Sequence, residues 1–439
     1  MNMLKRVHWL ALLVLLGSSS VGFAQTLTAT PVKPSGVYAP GEAIEWRVEA
    51  KGNAATTAPA TVNYHIKKGG LTVIKQGKLE LKEGVATLSA TLDEPGNLLV
   101  EFTLPGVMGP DKKPIRALAG AIVAPDKIQP SAPTPEDFDS FWAGQIKAMS
   151  AIPANPKLEA AAAKATKDGR PPFEYFKLTM DSINGTHLYG QLARPKKAGR
   201  FPALLLVQYA GVYGLPSSNV VRRAEDGWLC LNIMAHDLPF DKDEAFYKEQ
   251  SNGPLKDYVR IGNEDRLTSY FLRMYLNCYR AAEYLAARED WDGKTLVVMG
   301  TSQGGGQSFA AAGLHPKVTA MLANVPAGCD LTGDQAGRAP GWPNWPGQSW
   351  GRDKAKVVAA SRYFCATNFA RNIKCPVMVS AGLIDETCPP AGIAASVNAT
   401  QGKKELIVLP LSNHHGTGNA QAAFYVKSEK WLWELLNGK

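Results

Sequence analysis

The sequence predicts two unlike parts in one chain: an all-β sandwich of the immunoglobulin type, then an α/β domain on a mostly parallel central sheet. Three observations predict it. Residues 26–124 read as short period-two runs separated by turn residues, the pattern of half-buried strands. From Phe173 onward, strand-like apolar runs alternate with helix-like ones, which implies a parallel sheet covered on both faces. Between the two parts, four prolines fall in the eleven residues from Pro125 to Pro135, a stiff extended linker. The 439 residues are long enough for two or three domains. The expected division is a leader at 1–24, a sandwich at 26–124, a linker at 125–135 and the α/β domain at 136–439.

The leader is read from Lys5 and Arg6, the apolar stretch Leu10 to Leu16, and the small-residue end Gly22-Phe23-Ala24. This is the pattern of a secretory signal peptide cut after Ala24, so the expected location is secreted or periplasmic. No other segment reaches 18 uninterrupted apolar residues, and no membrane span is expected. The formal net charge is +9, two of it in the leader, and the remaining basic residues are scattered without an aromatic-interleaved stripe. Nucleic acid is therefore not an expected partner. The six cysteines all lie in the second half. None forms a Cys-x-x-Cys pair, so a zinc knuckle has no support. Cys329, Cys365, Cys375 and Cys388 border loops, where an exported chain can form one or two bridges.

In the first part the strand runs are Ile44 to Val48, Val62 to Ile66, Leu79 to Leu81, Val85 to Leu92 and Leu98 to Leu104. Turns at Pro40-Gly41, Gly69-Gly70, Glu83-Gly84 and Glu94-Pro95-Gly96 separate them. The linker leads to a helix expected to start at Pro135 under a Thr134 cap, with Phe138, Phe141, Trp142 and Ile146 on one face. Lys157 to Lys167 is alanine-rich and reads as helix or loop. Phe173 to Met180 and His187 to Ala193 form an expected hairpin turning at Asn184-Gly185. Then come strand Ala203 to Gln208, helix Val220 to Asp226, strand Trp228 to Met234 and the amphipathic helix Tyr270 to Ala287. Strands at Leu296 to Met299, Val318 to Asn324, Val377 to Ala381 and Glu405 to Leu409 follow, and a helix closes the chain.

The strand Leu296 to Met299 runs straight into Gly300-Thr301-Ser302-Gln303-Gly304 and then an apolar helix. Strand, sharp glycine turn and helix is the setting in which Gly-x-Ser-x-Gly forms a nucleophile elbow. Ser302 is the candidate nucleophile, and the amide of Gln303 is one candidate oxyanion donor. The second donor is expected from the glycine-rich loop Tyr209 to Gly214, at Gly211 or Val212. The chain order serine, acid, histidine, each after a different strand, is met by Asp385 past the strand Val377 to Ala381 and by His414 past Glu405 to Leu409. Glu386 and His415 are the alternatives beside them. A serine hydroxyl is a weak nucleophile until an imidazole takes its proton, and a carboxylate orients that imidazole. The other histidines fall in the leader, in the sandwich, before the nucleophile or at the end of its helix. This chemistry calls for no metal or organic cofactor, and the adjacent pair His414-His415 lacks the spacing of a metal-ligand pair. The loop Pro340 to Trp350 carries three tryptophans among prolines and glycines. Trp342 and Trp345 are candidate substrate contacts as a sugar-stacking platform or, alternatively, buried anchors of a lid or oligomer contact. Tyr209 and His415 are further candidate contacts.

The region from about 131 to 437 resembles the acetyl xylan esterase and cephalosporin C deacetylase family of carbohydrate esterases. The resemblance rests on Thr134-Pro135-Glu136-Asp137-Phe138-Asp139-Ser140-Phe141-Trp142, Gly300 to Gly306, Val325-Pro326-Ala327-Gly328-Cys329-Asp330, and the run from Cys375 through Asp385 to Pro390. It implies an α/β-hydrolase fold, a serine, aspartate and histidine triad at Ser302, Asp385 and His414, and oxyanion amides at Gln303 and near Val212. It implies acetylated carbohydrate as substrate. Members often form hexamers, so a homo-oligomer is among the expectations, although an added amino-terminal domain stands against that arrangement. Three places depart from the family pattern. The region Ala235-His236-Asp237-Leu238-Pro239-Phe240 stands where the family has Arg-Gly-Gln-Gly, His415 replaces a glutamate, and Ala210-Gly211-Val212 replaces His-Gly-Tyr. The alternatives are another α/β-hydrolase activity, a small-ester hydrolase or peptidase, and a non-catalytic glycan-binding protein.

Overall fold

The computed structural model describes residues 25–52, 59–109, 111–166, 168–169 and 171–438. The expected leader lies outside the described residues. The amino-terminal part contains β1 (Thr26–Pro31), β2 (Val37–Tyr38), β3 (Ile44–Lys51), β4 (Thr61–Lys68), β5 (Thr72–Glu80), β6 (Val85–Ala90), β7 (Gly96–Met108) and β8 (Pro114–Val123). They form a sheet β1-β3-β6 and a sheet β2-β8-β7-β4-β5. Alternate side chains of both, among them Ile44, Trp46 and Val48 from one and Val62, Ile66, Val100 and Phe102 from the other, meet in one core. That shared core makes the part a β-sandwich. Its pairings are antiparallel except β2 with β8, which run parallel. Strand β8 escapes a period-two reading because Ala117, Ala119, Gly120 and Ala121 are small on both faces.

The second part is a nine-stranded mixed sheet. It contains β9 (Lys157–Ala160), β10 (Phe173–Asp181), β11 (His187–Pro195), β12 (Phe201–Val207), β13 (Leu229–Ile233), β14 (Trp291–Thr301), β15 (Ala320–Asn324), β16 (Val377–Gly382) and β17 (Lys404–Leu409). The order is β17-β16-β15-β14-β12-β13-β11-β10-β9. The strands from β17 to β13 are parallel, and β11, β10 and β9 are added antiparallel. The helices are α1 (Phe138–Ser150), α2 (Ser218–Asp226), α3 (Glu244–Asn252), α4 (Tyr270–Ala286), α5 (Gln303–Leu314), α6 (Lys354–Ser361), α7 (Ala366–Ala370), α8 (Pro390–Ala399) and α9 (Ala422–Leu436). Leu205 and Val298 point to the face covered by α4, α5 and α8, whereas Leu204 and Val297 point to the face covered by α2 and α9. This is an α/β-hydrolase sheet with a β-sandwich before it.

Four local expectations need correction. Helix α1 starts at Phe138 rather than Pro135. Thr134 donates its hydroxyl to the side chain of Asn368 at 2.8 Å instead of capping, and the Asp137 carboxylate pairs with Arg266. Lys157 to Ala160 is neither helix nor loop but a strand, because β10 offers it an open edge. The segment 125–135 is no free spacer. Ser131 bonds Asp330 through its amide and hydroxyl at 2.9 and 2.7 Å, and Asn398 donates to the carbonyls of Pro125 and Ile128. Finally, all six cysteines are free, and five are buried, where a thiol packs as a small apolar group.

Candidate active site

Strand β14 ends at Thr301, and Ser302 sits between it and α5 with φ 55° and ψ −121°, a conformation that side chains other than glycine rarely adopt. The neighbouring glycines make the turn sterically possible. A Cβ on Gly300 would lie 2.8 Å from the Cα of Gly304, one on Gly304 would lie 2.6 Å from the carbonyl oxygen of Val207, and one on Gly305 would lie 2.6 Å from the Cβ of Pro326. The Ser302 amide donates to the Asn324 carbonyl at 2.9 Å, and the Ser302 carbonyl accepts from Gly306 and Ala327 at 3.1 and 2.8 Å. The turn is thus held from both sides by β15 and the loop after it.

Ser302 Oγ lies 2.8 Å from His414 Nε2, and His414 Nδ1 lies 2.8 Å from Asp385 Oδ2. The other carboxylate oxygen of Asp385 accepts from the amides of Thr387 and Cys388, both at 2.8 Å. The Asp385 side chain is fully buried, and that of His414 is 13% exposed. An imidazole held this way presents a lone pair to the serine hydroxyl and can take its proton. The neighbouring alternatives are engaged elsewhere: Glu386 pairs with Arg116 at 2.7 Å. His415 is exposed, its ring edge-on to His414 at 5.7 Å. Cys388 places its thiol near Asp385 and His414, the three ligand atoms within 4.8 Å of one another. Burial pushes that thiol well above its ordinary pKa, so it stands protonated beside the pair.

Gln303 opens α5 directly after Ser302, so its amide has no acceptor within the helix. Of the two candidates on the facing loop, Gly211 directs its amide toward the Tyr258 hydroxyl at 3.4 Å. The Val212 amide donates to no protein group among the described residues. Two amides at such an elbow can receive a developing oxyanion.

The supporting residues of this loop were missed by sequence reasoning. His236 Nε2 lies 2.9 Å from the Gly211 carbonyl oxygen, and its Nδ1 lies 2.7 Å from the Tyr270 hydroxyl. Desolvation by burial lowers the His236 pKa to about 4, against a smaller opposing effect of the Gly211 hydrogen bond and with Arg273 adding to the lowering. The ring is therefore neutral near pH 7, its Nε2–H donating to Gly211 and its Nδ1 accepting from Tyr270. Tyr258 donates to the side chain of Gln303, so one phenol links the loop to the elbow. Gln208 accepts from the Ala235 amide and donates to the Tyr213 carbonyl, both at 2.9 Å. The available signal was position: His236 directly follows β13 at the carboxyl end of a parallel strand, where such sheets gather their chemistry.

The remaining candidate contacts separate sharply. Tyr209 is exposed and stacks on Tyr213 with ring centroids 4.7 Å apart. Trp342 is half-buried against Phe271. Trp345 corrects an expectation: it is fully buried, with its indole N–H on the Val259 carbonyl at 2.7 Å and its ring packed on Phe271 and Phe364. It cannot stack on a ligand. The exposed indole of that loop is Trp350, 66% accessible, with the Arg260 guanidinium 3.3 Å from its ring centroid on one face.

The family model described as acetyl xylan esterase (AXE1) matches residues 126–335, and that of the prolyl oligopeptidase family matches residues 273–439. Acetyl esterase Axe7A of Xylanibacter ruminicola is 31% identical over 366 residues, 81% of this chain and 79% of that protein. The solved acetyl xylan esterase from Paenibacillus sp. R4 is similar with a TM-score of 0.60 at 25% identity, covering 71% of this chain and 98% of that one. Acetyl xylan esterase 1 from Thermoanaerobacterium sp. JW/SL YS485 gives 0.58 at 22% identity over 69% and 97%, a likeness of fold.

Proposed function

The chain belongs to the acetyl xylan esterase family and is a carboxylic ester hydrolase, and on that premise we propose that it is an exported serine esterase removing acetyl groups from acetylated sugars or xylan. The observation that carries the reading is the row Ser302–His414–Asp385, both hydrogen bonds 2.8 Å long, with the amides of Gln303 and Val212 as its proposed oxyanion donors.

In this reading His414 takes the proton of Ser302 as its oxygen attacks the acetyl carbonyl, and Asp385 stabilises the imidazolium. The carbonyl oxygen becomes an oxyanion held by the two amides. Collapse of the tetrahedral adduct breaks the bond to the sugar oxygen, which leaves with the proton from His414. Water, deprotonated by the same imidazole, then attacks the acetyl-serine, and acetate departs. The Nε2–H of His236 belongs to the scheme, because its hydrogen bond keeps the Gly211 carbonyl turned away from the oxyanion and the next amide toward it.

The test is acetate release from acetylated xylan and acetylated monosaccharides, run beside a peptide panel and larger acyl esters. Acetate release from the sugars with intact peptides is the expected result. Turnover confined to peptides, the chemistry of the second matching family, or to larger esters would refute the acetyl-sugar reading. A serine-directed phosphonate that labels Ser302 in the wild type but not in His414→Ala tests the nucleophile separately.

A further inference from the structure

The outer face of the sandwich lies against the loop that carries Asp385. Along β8 the side chains at 119, 121 and 123 enter the sandwich core, so strand periodicity turns 116, 120 and 122 outward. Each of these meets the α/β part. Ile122 packs with Leu383, Ala391, Ala394 and Ala395 in one apolar cluster. Gly120 is pressed onto Leu383, two residues before Asp385: a methyl group there would run into the Leu383 carbonyl and come within 2.8 Å of its Cβ. Arg116 pairs with Glu386, the residue after Asp385, at 2.7 Å, and with Glu101 of β7 at 3.8 Å. Asn97 and Leu99 of β7 share with Leu383, Asp385, Glu386, Pro389 and Pro390 a cavity of about 160 Å³. The acid loop is therefore gripped on both sides of Asp385 by one sandwich strand.

We propose that Gly120 and Arg116 are positioning residues for the Asp385 carboxylate, so that the β-sandwich forms the back wall of the catalytic acid; this rests on reading Asp385 as the acid of the triad. The physical argument is one of tolerance. Asp385 holds His414 through a single 2.8 Å hydrogen bond, and displacement of a catalytic group by about 1 Å costs up to about 10²-fold in rate. On the inner side the carboxylate is fixed by the amides of its own loop, so any shift of that loop moves the carboxylate with it. Gly120 permits close approach because it lacks a side chain, and Arg116 ties down the far end.

The experiment measures kcat and KM on 4-nitrophenyl acetate, with circular dichroism and thermal melting as checks of folding. Gly120→Ala, Arg116→Met and Arg116→Lys are made in the full chain, alone and combined with Asp385→Ala. Gly120→Ala is expected to lower kcat by about 10-fold or more with KM within about twofold. Arg116→Met is expected to lower it about threefold, and Arg116→Lys to keep wild-type turnover. Combined with Asp385→Ala, neither Gly120→Ala nor Arg116→Met should cost anything further, because a residue acting through Asp385 has nothing left to act on. Wild-type kcat in folded Gly120→Ala and Arg116→Met overturns the proposal, and so does an undiminished loss in the Asp385→Ala background. Should Gly120→Ala fail to fold, the Arg116 pair decides by the same criteria. Wild-type turnover in Asp385→Ala alone would instead remove Asp385 from the triad, and this inference with it.

Discussion

His236 holds the carbonyl of Gly211 at 2.9 Å from a fully buried imidazole, so the loop bearing the Val212 amide rests on a histidine whose burial disfavours its charged form. Its folded pKa of about 4 is depressed from the ordinary value of 6.5, chiefly by burial. Between those two values the unfolded chain binds the proton and the folded one does not. The contribution to stability is complete above about pH 6.5 and is lost as pH falls toward 4, to a total of about 3 kcal/mol. Thermal denaturation between pH 7 and pH 4 should show a steeper loss for the wild type than for His236→Gln. Parallel curves for the two proteins would refute this.

Ser302 adopts a positive φ at the elbow, and such strain costs on the order of 1–3 kcal/mol in a residue with a side chain. Ser302→Gly should melt above the wild type while losing activity, and Ser302→Ala should lose activity without that gain. A Ser302→Gly variant that melts below the wild type would show that the turn stores no strain.

His414 contacts both Ser302 and Asp385, whereas His415 is exposed with its ring edge-on to His414. His414→Ala is expected to reduce kcat by about 10³-fold or more, as loss of a triad base does. His415→Ala should cost less than about tenfold. The reverse order, measured on one activated acetyl ester, would exchange their assignments.

Trp350 offers one open indole face, its other face resting on Arg260. If sugar rings stack there, Trp350→Ala raises KM for acetylated xylan several-fold and leaves KM for 4-nitrophenyl acetate unchanged. Equal KM values for the polymer in both proteins would exclude the contact.

Much of this molecule was legible along the chain. Ser302, Asp385 and His414 each follow an apolar strand and a turn, so the order of strands in sequence pointed to each of them. The alternation of Ile44, Trp46 and Val48 marked a sandwich strand in the same way, because period and burial are local properties of a strand. What sequence could not supply was which surfaces meet. Trp345 and Trp350 stand in one proline-rich loop with the same chemistry, and only packing on Phe271 and Phe364 buries the first while the second stays in water. His236 broke the expected order of catalytic residues, and only the fold shows its ring under Gly211. Gly120 lies in a strand of small residues. Its meaning depends on Leu383, far away in the chain, because close approach of two backbones is decided by the docking of one sheet on another and not by either segment alone.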